Sequence, residues 1–198
     1  MFSSTWMVKD EMALQQAGKD EGLHGYQFQS ADGCDIAQFR VDGFTYNRLK
    51  PYTDGEAVLS EALRLWAIYV AIAAPPAVSR AALRYINHLP LPGSVLEMDR
   101  YLTAAPKCPE GLPGDVLRFL SRHLVQSHEF DFRAMMTMSS EPMVGGNGLT
   151  ILVDIDVFRE AEMGTESPEI RPALETLREA KNRAFFGALT EDAVRLFE

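Results

Sequence analysis

The residues best placed to do chemistry lie in Leu152-Val-Asp-Ile-Asp-Val-Phe158, where Asp154 and Asp156 stand two apart. On a strand that spacing puts both carboxylates on one face, while Ile151, Val153, Ile155 and Val157 line the other. Two carboxylates on one face are the minimum for a divalent cation or a general acid/base pair. Magnesium and calcium need further oxygen ligands that the sequence does not place. The favoured reading therefore pairs the aspartates with arginines of neighbouring strands, Arg84 foremost, and assigns no metal and no cofactor. A second candidate sits on the last helix, where Ile170, Ala173, Leu174, Leu177, Ala180, Ala184 and Phe185 form one apolar stripe with Lys181 projected near its middle. The Lys181 ammonium either reaches water past its own methylenes or meets Asp154 or Asp156 from the sheet. Arg84, Asn87, Asp154, Asp156, Lys181 and Asn182 together make one polar cluster, read as structural and as the site only in an enzyme.

Nucleophilic catalysis finds little support. His24, His88, His123 and His128 could each partner a serine, Cys34 or Cys108, yet there is no Gly-x-Ser-x-Gly elbow and no local cysteine-protease signature. Gly145-Gly146-Asn147-Gly148 lacks the Gly-Lys-Ser/Thr ending of a phosphate cradle and leads into a strand, so it reads as a loose turn. Met135, Met136 and Met138 fall on one strand, facing both sides of the sheet, as core filling.

These groups must be positioned by elements legible in the pattern. Residues 1–25 read as a polar lead-in, and residues 26–198 as a single α+β domain. Tyr26-Gln-Phe28-Gln-Ser30 alternates, Ala31-Asp32-Gly33 signals a turn, and residues 36–46 resume with aromatic and β-branched residues, describing an antiparallel hairpin. Thr53-x-x-Glu56 is a capping box opening a helix over 54–73, stopped by Pro75, whose second half around Trp66 is apolar on every side. Residues 78–89 read as a strand. Five of the eleven prolines fall in 90–113, which reads as a crossing connection and hinge between halves 26–89 and 114–198. Residues 117–125 are ambiguous between strand and helix, 130–139 are strand-like, and 149–158 give the clearest strand. Ser167-Pro168 reads as a cap and first helical proline, opening a helix to about Phe186, and Thr190 caps a short terminal helix. The expected fold is α+β, an antiparallel-rich sheet with two long helices, its halves reading as a ββα unit used twice.

Charge and cysteine content bound the partners. With 19 Lys and Arg against 28 Asp and Glu the net charge is −9, a field that repels phosphate backbones and anionic lipid, so no nucleic acid is expected. No membrane partner is expected either, since the longest uncharged run is broken by Pro75 and Pro76. Two cysteines without ligand spacing read as free thiols of a cytoplasmic protein.

Several strings in order, Tyr26-x-Phe28-x-Ser30-x-Asp32, Pro51-Tyr52, Leu83-Arg84-Tyr85-Ile86-Asn87, Leu152-Val-Asp154-Ile-Asp156-Val-Phe158 and Lys181-Asn182-x-x-Phe185-Phe186-x-x-Leu189-Thr190-Glu191, resemble a sporadically distributed bacterial family of roughly 250-residue proteins. The resemblance spans residues 26–197 and implies bacterial origin and an α+β fold, but it supplies no reaction. Members usually begin with a further segment carrying a strand that is lacking here, which implies an edge of the sheet left open. The expectation is a protein-binding or interaction module, self-associating as a homodimer or taking a protein partner. Trp66 and Phe186 are the candidate interface residues. The alternative is a metal-dependent hydrolase built on Asp154 and Asp156.

Overall fold

The computed structural model describes residues 24–49, 54–92, 97–112, 114–142 and 148–197. It is α+β, with two antiparallel sheets and two long helices. The lead-in up to residue 23, the Pro51-Tyr52 string, Thr53 of the capping box and the Gly145–Asn147 turn lie outside the described residues. The chain divides at Pro76 and Ala77 into two compact units.

The first unit is a three-stranded meander, β1 (Gly25–Gln29), β2 (Asp35–Arg40) and β3 (Gly43–Arg48), followed by helix α1 (Gly55–Ala73). The run 36–46, read as one strand, is two: Val41 and Asp42 turn the chain, and Arg40 pairs with Gly43 across the turn. Gly25 lies against β2 so closely that a Cβ there would stand 2.3 Å from the Phe39 carbonyl oxygen. Tyr26, Phe39 and Phe44 share one face by register, and Phe39 and Phe44 meet Tyr69 of α1 at ring distances of 5.5 and 5.8 Å. Asp54 supplies the cap of α1, its carboxylate accepting from the Glu56 amide at 3.0 Å, and Ala74 ends the helix in the left-handed region just before Pro75.

The second unit holds β4 (Val78–Pro92), α2 (Met98–Tyr101), β5 (Leu120–Gln126), β6 (Arg133–Pro142), β7 (Gly148–Met163), α3 (Ser167–Ala188) and α4 (Glu191–Arg195). Its sheet runs β4-β7-β6-β5, antiparallel throughout. The longest strand is central because its two faces differ so sharply. Ile151, Val153, Ile155 and Val157 are 0 % exposed beneath α3, while the alternate residues face away from it. Leu177 of α3, 1 % exposed, closes the same core.

Three local expectations need correction. The strand over 78–89 continues through Pro90 to Pro92, because β4 pairs on one side only and a proline in an edge strand leaves the other side without a donor at no cost to the ladder. The stretch 90–113, read as a crossing connection, is also not connection throughout, since where it is described it completes β4 and holds α2. α2 lies against α4, Leu102 is 2 % exposed and bridges Leu189, and the Thr103 hydroxyl donates to the Gly187 carbonyl at 2.8 Å. Finally, α3 starts one residue earlier than expected, with Glu166 and not Ser167 at the cap, and runs through Gly187 to Ala188. The cap at Thr190 is as expected, its hydroxyl accepting from the Ala193 amide.

Candidate functional site

Antiparallel register decides which side chains can meet. Arg84 pairs with Asp156, Ile86 with Asp154 and Ala82 with Phe158, so even-numbered residues of β4 share the β7 face that carries the aspartates. On that open face Arg84 reaches diagonally to Asp154 through Nε and Nη2, at 2.9 and 2.6 Å, a two-pronged grip. Arg80, two pleats away on β4, donates to Asp156 at 2.9 Å and lays its guanidinium 4.5 Å above the Phe158 ring. From the other flank Arg133 of β6 holds Glu160 at 2.8 Å. The face is thus a row of carboxylates on the central strand, fenced by arginines of its neighbours. The hydrogen bonds to the Asp154 carboxylate raise the Arg84 guanidinium above its ordinary value.

Asn87 and Lys181 do not join it. Asn87 pairs with Val153 and so points to the helix-covered face, where its amide donates to the Val153 carbonyl at 3.2 Å and is 4 % exposed. Lys181 comes from α3 onto that same face, with Nζ 3.8 Å from the centroid of the Tyr85 ring. A sheet separates it from Asp154 and Asp156. The single cluster is therefore corrected to two groups, because α3 must cover the apolar side of β7, and the aspartates occupy the opposite side. Asn182 follows Lys181 on α3 and is half-buried.

Of the two candidate interface residues, Trp66 stacks on Tyr69 at 5.4 Å and stands 5.9 Å from Phe44, inside the aromatic cluster of the first unit. Phe186 is 57 % exposed, touches Phe185 edge-on, and borders a shallow depression of about 370 Å³ beside α4.

The sequence reading missed two features. One is Arg80, whose signal was its spacing of four from Arg84, two pleats on one face of a strand. The other is a polar group in the first unit, where Asp35 accepts from the Tyr46 hydroxyl and from Arg48, both at 2.6 Å. Burial, with the Asp35 carboxylate beside it, pushes the Tyr46 phenol up, so Tyr46 serves as a donor and not as a base.

The chain matches no family model, curated protein or solved structure. Among the described residues no three His, Cys, Asp or Glu side chains gather at metal-ligating distance, and no helix is long and apolar enough to cross a membrane. Cys108 is a free thiol. Asp154 is 16 % exposed and Arg84 44 %, so loss of their bond leaves an arginine that water can reach. Asp154→Asn is expected to cost about 0.5–1.5 kcal/mol in urea unfolding, less in 1 M salt and unchanged by magnesium or calcium. A wild-type transition raised several degrees by either metal, with no response in the variant, contradicts this.

Proposed function

We propose that this chain is a protein-interaction module of a bacterial cytoplasmic protein. The observation that carries the reading is the outer strand of the second sheet. β5 pairs with β6 alone among the described residues, and Leu120, Leu124 and Val125 are 73, 58 and 51 % exposed along it. An unpaired strand edge bearing exposed apolar side chains favours addition of another strand. The alternative, hydrolysis at Asp154 and Asp156 with a divalent metal, needs carboxylate oxygens that Arg84 and Arg80 now hold.

The test places a photoreactive side chain at Leu120 and, as control, at Glu175 on the exposed side of α3, in cells making the full chain. A discrete adduct from position 120 and none from 175 is expected. Turnover of a phosphate or carboxylate ester with added magnesium or manganese, abolished by Asp154→Asn, overturns the reading.

A further inference from the structure

Resting on that reading, we infer that the β5 edge accepts an extended acidic segment of another protein, with two adjacent acidic residues set against Arg122 and His123 and apolar residues on either side. The backbone sets the geometry. Ser140 donates to the Phe119 carbonyl and Ser127 to the Phe132 carbonyl, so odd-numbered residues hold the hydrogen-bonded positions toward β6. By alternation Leu120, Arg122, Leu124 and Gln126 turn their N–H and C=O groups outward. An incoming strand finds four residues' worth of donors and acceptors in line.

The other edge of the sheet is protected where this one is not. β4 ends in Leu89-Pro90-Leu91-Pro92, which removes donors from its outer side, whereas β5 contains no proline. Charge then selects the occupant. Arg80, Arg84 and Arg133 each hold a carboxylate, as do Arg159 and Arg183. Among the described residues Arg118 and Arg122 hold none, and Arg122 donates only to the Met135 sulfur at 3.2 Å. Between Asp115 and Glu129 the chain carries Arg118, Arg122, His123 and His128 and no acid. In a chain of net charge −9 this strand is locally cationic, and within a Debye length of about 8 Å the local charge governs what docks. A second copy of β5 brings the same Arg122 cation and is the poorer fit.

Side-chain alternation sets the sequence of the guest. Leu124 and Arg122 share the open face with Leu120, and Val125 and His123 share the other. Read antiparallel from Val125 to Leu120, the complement is apolar, apolar, acidic, acidic, small, apolar.

The probe is a fluorescein-labelled peptide containing Val-Val-Glu-Glu-Thr-Val, compared by anisotropy with one containing Val-Val-Lys-Lys-Thr-Val, on the full chain. The glutamate peptide is expected to bind at least tenfold tighter, and more weakly as salt rises. Arg122→Glu should abolish or reverse that preference. Leu124→Pro, at a position whose amide points away from β6, should remove binding of both peptides while keeping the wild-type melting profile. Should that variant not fold, the Arg122→Glu comparison decides alone. Equal binding of both peptides, or binding that survives Leu124→Pro, overturns the inference. So does a dimer in light scattering that Leu124→Pro dissolves, which assigns the edge to self-association. Peptides that fail while the Leu120 adduct persists overturn only the acidic chemistry. Failure of both overturns the interaction reading as well.

Discussion

Ile155→Ala is expected to lower the unfolding free energy of the second unit by about 2–5 kcal/mol, read as a shift of the urea midpoint with an unchanged slope. Ile155 is 0 % exposed at the middle of the central strand, flanked by Tyr85 on β4 and Met136 on β6 and roofed by α3. The removed methylenes leave a void that neither neighbouring strand can close without breaking its own ladder. Leu124→Ala on β5, at 58 % exposure, should stay within about 0.5 kcal/mol of wild type. A small domain has only about 5–15 kcal/mol to lose, so the first variant should also accumulate poorly in cells. Equal effects from the two changes contradict the placement of the core.

Lys181 gives the second large effect, and it depends on pH. Burial pushes its ammonium down to about 8, with the Arg178 charge adding to the same direction, and the Tyr85 ring face offsets part of that cost. In the unfolded chain the amine keeps its proton to about 10.4. Between these values the unfolded state binds more protons than the native one, so stability rises with pH from about 8 to about 10.4 and is flat for this group below. Lys181→Met is expected to add on the order of 1–3 kcal/mol at pH 7 and to erase that rise, so that variant and wild type converge near pH 10. Chemical denaturation at pH 7, 9 and 10 checks it. A variant less stable than wild type at pH 7 shows instead that the cation on the ring outweighs burial.

How far the sequence carried these conclusions differs by residue. The alternation around Asp154 and Asp156 was legible because a central strand with one covered face leaves a strict two-residue pattern, and the same pattern foretold an arginine partner in Arg84. Lys181 was legible as a lysine facing the core, yet its pairing with the aspartates was not. A helix stripe says which residues face a sheet, and the apolar face it must cover is the one opposite the aspartates. Asn87 depended on strand register, which no single strand carries in its own residues, since a slip by one would move it to the other face. Residues 117–125 stayed ambiguous because an edge strand exposed on both sides has no apolar period to display. Pro90 and Pro92 misled because proline excludes a central strand but not an edge.

The pairing of β4 with β7 also has a cost in time. Arg84 and Asp154 lie 70 residues apart, whereas β5, β6 and β7 follow one another in sequence with only a few residues between them. The local meander can therefore zip first, and β4 joins only after a long loop has closed. During synthesis at roughly 5–20 residues per second, β4 emerges about 4–14 s before its partner strand. Through that interval its Leu83, Tyr85, Leu89 and Leu91 have no β7 ladder beside them. Arg80, Arg84, Pro90 and Pro92, spaced along this one strand, then act as guards against misassembly with other nascent chains.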